Sequence, residues 1–450
     1  MALTQVVNFL QQVDELDQAK SLLKVFEKYS NSLEQFDTLG MLYEKVKAYP
    51  EALRMLEKCI VLARSPEQMH SVRSNLAKVY NHINEPYKSL FYTNVNLGVN
   101  PEDHEALMEQ TFSYYLAGDF EKSHQLQIDL LKNPAISDNI KKRITFNMGT
   151  YEMEAGDFKS GIYKMIMGGK EIGIWLPIEK PYPKWRGEQT DKTVLVFAEA
   201  GIGDEMISIR FMPYFKDRGI KAIWIGHNRK MIDLFVSNGF QCIMNKDIDP
   251  FGEYVYCESM SLPVLLDLGK PELYKGPYLH AKLEYIEKWK AILPEKFVTI
   301  RWAGNPYYDQ DLHRSIDFNV LVDKLSPVGI PLVSLQIDAS RSEDPRIINV
   351  DIQSWDDTLA IQYLAHLNIT SCTSTAHSAS AQGARCVVLP PIATYYPWTD
   401  LRPDGTGNWY ADTTRAYPQK KWKNWEETVN KAVEYLRTLG STDKRRYILY

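Results

Sequence analysis

The first third of the chain has hydrophobic residues at helical spacing and almost no strand pattern. Over residues 1–168, short amphipathic segments alternate with turns that hold Gly, Asn or Pro. Apolar residues three and four positions apart predict one buried face of a helix. We therefore expect residues 1–168 to form an all-helical domain.

A repeating frame runs through this helical part. Its clearest copy is Leu39, Gly40, Tyr43, Ala52 and Leu56. Further copies begin at Leu76, Gln110 and Met148, and a worn one begins at Val6. The frame resembles the tetratricopeptide repeat, in which a small residue lets the second helix approach the first and an aromatic ring fills the gap. One helix pair cannot bury its own face, so such repeats stack. An irregular helical bundle is the alternative interpretation.

The pattern changes after residue 168. Residues 169–190 form a linker with three prolines and two tryptophans, and its aromatic residues suggest that it packs. Short apolar runs then alternate with helical stretches, a pattern typical of parallel sheets covered by helices. The runs predicted to be strands are 193–198, 221–226, 241–244, 297–302, 330–336, 368–371 and 384–391.

These patterns predict an α + α/β protein, with an N-terminal α-helical repeat array followed by two Rossmann-like domains. We place the domains at 191–290 and 291–450, facing each other across a cleft, with an amphipathic helix at 423–438 packed on one of them. In such sheets ligands bind outside the carboxyl ends of the strands.

Composition narrows the function classes. The 450 residues carry a net charge of −5, which argues against nucleic acid as a partner without excluding a local basic patch. The five cysteines contain no C-x-x-C pair, so we expect reduced thiols and no metal site. The sequence shows neither a signal peptide nor a membrane span, and we expect a cytoplasmic protein.

The first candidate site follows the first apolar strand. Gly201 and Gly203 permit a close approach of the backbone, and the helix that begins there offers unpaired amides to an anion. Asp204 stands in the first turn of that helix. A carboxylate there is either a capping group or a functional acid, and the sequence leaves both interpretations open.

The second candidate site is the polar loop after the run at 297–302. It contains Asn305, Arg314 and Ser315. A guanidinium can bind a diphosphate through two parallel hydrogen bonds, which makes Arg314 a candidate for that role. The alternative for Arg314 is a surface ion pair.

The third candidate site is the start of a helix rich in small residues. Ser374, Thr375 and Ala376 begin it, and their amides, hydroxyls and helix dipole suit an anion. His377 could donate to a phosphate or ribose oxygen, and a purely structural role is its alternative. A cysteine-protease pair of Cys372 and His377 lacks the third orienting group that such a site needs.

Together these segments resemble a known family. The stretches EAGIGDE, RWAGNP followed by HRSI, LVSLQ, SCTSTAH and the later YYPW are similar to the glycosyltransferase part of tetratricopeptide-repeat proteins related to ADP-heptose:lipopolysaccharide heptosyltransferases. The resemblance covers roughly residues 193–437. Repeats ahead of such a part are also similar to the protein O-GlcNAc transferases.

The resemblance implies a GT-B fold and an inverting, metal-independent transfer of a sugar from a nucleotide donor to an acceptor hydroxyl. It implies no cofactor, because the nucleotide-sugar is a substrate. It makes Asp204 the acceptor-side base, Arg314 the diphosphate cation and residues 375–377 the phosphate-binding helix start. Ser334, Leu335 and Gln336 would lie by the nucleoside. Where many family members have an Asp before the His-containing helix, this chain has Cys372 and Ser374.

The sequence leaves several functions open. The repeats would bind a protein partner or hold two chains together. The acceptor would be a protein, a glycan or another hydroxyl compound. The missing acidic residue near Cys372 favours a non-catalytic repeat scaffold with a degenerate transferase part, and a nucleotide-sugar epimerase is a further alternative. The sugar and the nucleotide are not specified by any readable motif.

Overall fold

The structure is a computed structural model that describes residues 2–12, 15–172, 179–305, 308, 311–337 and 341–440. It divides into two compact units. The first unit extends to Ile140 and takes in the segment from Asn305 to His313. The second unit begins at Lys141 and contains both sheets.

The first unit is a succession of helices in which neighbours along the chain pack together. They are α1 (Ala2–Gln12), α2 (Leu16–Glu27), α3 (Leu33–Lys45), α4 (Tyr49–Leu62), α5 (Pro66–His82), α6 (Pro86–Val99), α7 (His104–Ala117) and α8 (Phe120–Lys132). α9 (Asp138–Glu154) begins at the end of this unit. Helix starts are fixed locally, since Ser32 and Ser65 each form a reciprocal capping box.

The repeating frame marks the packing positions of these helices. A Cβ atom on Gly40 of α3 would lie 2.9 Å from Cγ of Leu56 on α4, so only glycine allows this approach. Tyr43 is fully buried beside them. The small residue and the aromatic ring therefore do what the frame predicts.

The segment that ends at His313 belongs to this helical unit. The His313 ring is buried, and its Nε2 lies 3.0 Å from the carbonyl oxygen of Asn81 on α5. The ring also packs near Phe112 of α7. Burial lowers the pKa of His313 to about 4, so the ring is neutral at physiological pH.

The second unit starts earlier than the predicted boundary at residue 168. α10 (Phe158–Glu171) buries Phe158, Ile162 and Met165 in the same core cluster as the first sheet, which explains the shift. Part of the predicted linker, 173–178, lies outside the described residues. Beyond it, Trp185 is buried and its amide donates to the Tyr256 carbonyl at 2.7 Å, so this stretch packs as expected.

The first sheet is entirely parallel, with strand order β3-β2-β1-β4. Its strands are β1 (Thr193–Phe197), β2 (Ala222–Gly226), β3 (Cys242–Met244) and β4 (Tyr254–Glu258). The helices around it are α11 (Ile202–Ser208), α12 (Pro213–Asp217), α13 (Arg229–Ser237) and α14 (Leu262–Leu265). The next helix, α15 (Leu283–Lys290), packs elsewhere, since its Ile286 and Trp289 lie in a core cluster with Val333 of the second sheet. Val194 pairs with Ala222 on one side and with Val255 on the other.

The second sheet is also parallel, in the order β10-β9-β8-β5-β6-β7. Its strands are β5 (Val298–Arg301), β6 (Leu332–Ser334), β7 (Ile347–Asn349), β8 (Leu367–Ser371), β9 (Cys386–Leu389) and β10 (Thr414–Ala416). Its helices are α16 (Asp311–Arg314), α17 (Phe318–Leu325), α18 (Trp355–Leu364), α19 (Ser374–Ala381) and α20 (Glu426–Thr438). The predicted C-terminal helix is α20, which packs on this sheet through Val429 and Val433.

These sheets confirm the predicted fold class, a helical array followed by two Rossmann-like sheets. The expected cleft does not pass between α11 and α19, because these two helices pack directly on each other. One hydrophobic cluster runs from Val196 of β1 through Met206 and Ala376 to Trp409. All five cysteines are buried and unpaired, as expected.

Candidate functional site

The start of α11 holds the first candidate residues. The chain leaves β1, turns through Ala200 at a φ of 62° and enters the helix at Gly201. The amide of Gly201 donates to Oδ2 of Asp204 at 2.8 Å. One oxygen of Asp204 therefore has the capping role that the sequence allowed, and the carboxylate sits where the helix dipole favours negative charge.

The second oxygen of Asp204 has an aromatic partner. The hydroxyl of Tyr395, in the segment after β9, donates to Oδ1 of Asp204. Desolvation raises the pKa of this carboxyl, while the Tyr395 hydroxyl, the Gly201 amide and the positive charge of Arg314 oppose the rise. This carboxyl group thus has fewer water contacts than a surface acid and two fixed hydrogen-bond donors.

Arg314 lies close enough to Asp204 for its charge to act on that carboxyl. Its Nη1 donates to the carbonyl oxygen of Cys372 at 3.1 Å, which ties it to the loop before α19. The next turn is held by the amide of Ile316, which donates to the carbonyl of Trp302 at 2.8 Å. Arg314 and the adjoining Ser315 are both partly buried.

The start of α19 offers less free polar surface than the sequence suggests. The Thr375 hydroxyl lies 2.7 Å from those of both Thr370 and Thr373, inside a buried cluster. Ala376 is fully buried, and its amide donates to the Thr373 carbonyl. Ser374 is the partly exposed member of this helix start.

Gly203 of α11 lies against this helix. A Cβ atom placed on it would lie 2.9 Å from Cδ2 of His377 and 3.6 Å from the Cα of Ser374. Glycine is therefore needed for the two helix starts to meet, and the meeting brings Asp204 to the helix that carries Ser374 and His377.

His377 is a buried, neutral ring. It stacks on Trp398 with ring centroids 5.5 Å apart, and its Nδ1 lies 2.8 Å from the hydroxyl of Tyr410. Desolvation lowers its pKa to about 3, and the charges of Arg210 and Arg314 act in the same direction. When the Tyr410 hydroxyl donates to Nδ1, the ring proton resides on Nε2.

Ser334 ends β6, Leu335 and Gln336 follow it, and all three are buried. The Ser334 hydroxyl accepts from the Gln336 amide at 3.2 Å. The Gln336 side chain pairs with both the amide and the carbonyl of Ala303 at 3.2 Å each. These side chains hold the loop after β5 in place. Asn305 is assigned to the first compact unit, whereas Asp204 is assigned to the second.

Arg210, just after α11, was not among the predicted site residues. It is buried, and it donates to the carbonyls of Ile207, Leu273 and Trp409 and to the hydroxyl of Tyr278. A cation surrounded by apolar sequence neighbours gives little signal, since its partners come from distant segments.

Tyr395 was also missed as a site residue. Its only signal in the sequence is its place in the aromatic run YYPW, which contributes to the family resemblance and does not indicate a role at the site.

A second charged cluster lies at the carboxyl ends of β1 and β4. Nζ of Lys170, from α10, lies 3.6 Å from Glu199 and 3.3 Å from Glu258, and it donates to the Ser261 hydroxyl at 2.6 Å. Glu258 also pairs with Lys184. Burial raises the pKa of Glu199 to about 7 although Lys170 opposes the rise.

No helix in the described part of the chain is both long and apolar enough to cross a bilayer. No protein-family model matches the sequence, and no curated protein matches it significantly.

Solved structures do show similarity. The dodecameric iron-containing heptosyltransferase TibC of enterotoxigenic E. coli, solved with ADP-D-beta-D-heptose, is 12% identical, with a TM-score of 0.40 over 59% of this chain and 80% of that one. The E. coli heptosyltransferase WaaC is 10% identical, with a TM-score of 0.36 over 55% of this chain and 100% of that one. An O-GlcNAc transferase mutant of Thermobaculum terrenum is 11% identical, with a TM-score of 0.42 over 97% of this chain and 92% of that one. Both classes that the sequence motifs resemble therefore occur among the similar structures.

Proposed function

We propose that the protein is a glycosyltransferase that moves a sugar from a nucleotide-sugar donor to an acceptor hydroxyl, with inversion and without a catalytic metal. The observation that carries the proposal is the meeting of α11 and α19. It brings a desolvated carboxylate, Asp204, within reach of the charge of Arg314 and next to the start of a second helix.

In the proposed reaction Asp204 is the general base. Its carboxylate accepts the proton of the acceptor hydroxyl while that oxygen forms a bond to the anomeric carbon. The bond from this carbon to the diphosphate oxygen breaks, and the electron pair leaves with the nucleotide. Tyr395 has to release Oδ1 of Asp204 for this step, whereas the Gly201 amide can keep Oδ2 in place.

The departing diphosphate needs fixed positive charge, and Arg314 is its proposed source. Ser374, at the start of α19 where the helix dipole favours an anion, would add a neutral donor. His377 is neutral, so its proposed part is to donate from Nε2 to an oxygen of the donor. In the proposal the donor site is bordered by Gly201, Gly203 and Ser315. The buried residues Thr375, Ala376 and 334–336 hold the surrounding backbone in place without contacting the donor.

A second candidate function has its own observation. Both oxygens of Asp204 are engaged, and most of the predicted donor-binding side chains are buried in the framework. A repeat scaffold with a transferase part that no longer turns over would have these features. A nucleotide-sugar epimerase would use the donor site without any acceptor.

A thermal-shift panel of UDP-, ADP-, GDP- and CMP-sugars separates the three functions. A ligand at a hundredfold excess over its dissociation constant stabilises the folded protein by about 2.7 kcal/mol, which such a panel detects easily. Stabilisation followed by sugar transfer to a candidate acceptor, read by mass spectrometry, is the expected result. Interconversion of the donor without acceptor would identify an epimerase, and the absence of stabilisation by any of the sugars would favour the scaffold.

A further inference from the structure

A groove of about 400 Å³ lies between the start of α5 and the end of α6 in the helical unit. Its lining residues are Arg64, Ser65, Pro66, Met69, His70, Arg73, Asn96 and Val99. These residues belong to the first compact unit and Asp204 to the second, and the glycosyltransferase proposal assigns no role to the groove.

The groove has a cationic wall. Arg73 is partly exposed and forms no ion pair with any residue of the described part of the chain. Arg64 is exposed and uses one nitrogen to reach the carbonyls of Val61 and Ala63. His70 is already bound to Asp103 at 2.6 Å, so the charge that faces a ligand comes from the two arginines.

The floor of the groove has an unused acceptor. Asn96 is only 1% exposed, and its Nδ2 donates to the His70 carbonyl and to the Ser74 hydroxyl. Its Oδ1 has no hydrogen-bond partner among the described residues. Buried acceptors are rarely left without a donor, so a donor from outside the chain is expected at this atom.

The remaining wall is apolar. Met69 is partly exposed and Val99 is 70% exposed, and both line the groove. A ligand that matches the whole groove therefore needs an anionic group, an N–H or O–H donor and an apolar side chain. An inorganic anion would satisfy the arginines alone.

We propose that this groove binds a partner protein through an acidic peptide segment. A carboxylate side chain of the peptide pairs with Arg73, a peptide N–H donates to Oδ1 of Asn96, and an apolar side chain packs on Met69 and Val99. The inference does not depend on the glycosyltransferase reaction, because none of these residues lies in the second unit.

The test uses the full chain and a fluorescein-labelled pool of octapeptides with glutamate at alternate positions and Leu, Val, Met or Phe between them. Fluorescence anisotropy measures binding, and a pool with lysine in place of glutamate is the control. We expect Arg73→Glu to weaken binding at least tenfold. Lys78→Glu is the matched control, because Lys78 lies on the same helix outside the groove and should bind like the unmodified chain.

Asn96→Leu probes the floor of the groove and should weaken binding about tenfold. Circular dichroism shows whether Asn96→Leu, a substitution at a buried position, keeps the fold. If Asn96→Leu does not fold, Arg73→Glu still tests the proposal, because Arg73 is partly exposed. Equal binding by Arg73→Glu and Lys78→Glu, or no binding of the acidic pool by the unmodified chain, would overturn the proposal. Complete displacement by millimolar inorganic phosphate would also overturn it, since the groove would then be a simple anion site.

Discussion

At the scale of single residues, Asp204 and Arg314 have separable tasks in the proposed reaction. Asp204→Asn keeps an oxygen for the Gly201 amide and removes the base, so kcat should fall by about 10²–10⁴-fold with donor affinity nearly unchanged. Arg314→Ala should weaken nucleotide binding and lower kcat by about 10²–10³-fold.

Single-turnover rates measure the loss of kcat in the two variants, and calorimetric titration with the donor measures the loss of affinity. Equal loss of donor affinity in both variants would remove Asp204 from its role as base.

Tyr395 sets the ionisation of the same carboxyl. Its hydroxyl stabilises the charged form of Asp204 and so opposes the rise of that pKa. In Tyr395→Phe the pKa of Asp204 should therefore be higher, and the acid limb of the pH profile of kcat/KM should move to higher pH. Tyr435→Phe is the control, because Tyr435 bonds to Arg415 and not to Asp204. An unmoved acid limb would show that Tyr395 does not tune the base.

Glu205 is the neighbour of Asp204, and its effect is on stability. Burial raises the pKa of Glu205 to about 7 from 4.5, and one of its oxygens has no partner among the described residues. A carboxyl group whose pKa is raised by folding makes its full contribution to the free energy of unfolding below pH 4.5. That contribution is lost as the pH rises towards 7 and the buried group ionises. Glu205→Gln should therefore raise the stability at pH 8, by about 3 kcal/mol at most, and leave it unchanged at pH 4. Melting curves of Glu205→Gln and the unmodified chain at pH 4 and pH 8 test this expectation. An equal gain in stability at both pH values would contradict it.

At the scale of helices and strands, the junction of α11 and α19 depends on one missing methyl group. Gly203→Ala would place a Cβ atom 2.9 Å from the His377 ring, so the two helix starts should move apart at a cost of about 1–3 kcal/mol. Gly98→Ala in α6 is the matched control, because its Cβ atom meets nothing within 4 Å and should stabilise that helix by about 0.5–1 kcal/mol. Chemical unfolding should show a lower free energy of unfolding for Gly203→Ala and a higher one for Gly98→Ala. An unchanged free energy of unfolding in Gly203→Ala would mean that the two helices are not in close contact.

The strands also show which parts of the fold can be predicted from the sequence. β1 and β9 are mainly apolar and buried, β5 is buried although it contains Thr299 and Arg301, and the sequence predicts each of the three to within a few residues. β4 was missed because its tyrosines and Glu258 weaken the apolar pattern, and β7 and β10 because each is only three residues long. For the site, the sequence places Gln336 at a strand end, but a backbone partner at Ala303 depends on how the two loops meet.

At the scale of the whole molecule, one hydrophobic cluster joins the two sheets, and the second sheet has a further cluster of its own. The cluster that includes Val196, Met206, Ala376 and Trp409 draws residues from both predicted Rossmann-like domains. In a chain that ends at Lys290, α11 would expose its apolar side, and the first sheet should not fold, whereas the helices up to Ile140 are kept. We expect the two sheets of the full chain to melt together in a single calorimetric transition, and the shortened chain to show no transition beyond that of the helical unit. A further transition in the shortened chain, absent from the helical unit alone, would show that the first sheet is an independent domain.

Arg210 gives this shared core a permanent charge. Its guanidinium is enclosed by the rings of Tyr278, Trp409 and Tyr410, out of reach of the mobile ions that gather around surface charges. An anion already bound at the first turn of α19 therefore feels a field that dissolved salt hardly shields, whereas an anion still in the solvent is screened. Ionic strength should govern how quickly such an anion arrives from solution, and have far less influence on how firmly it is then held.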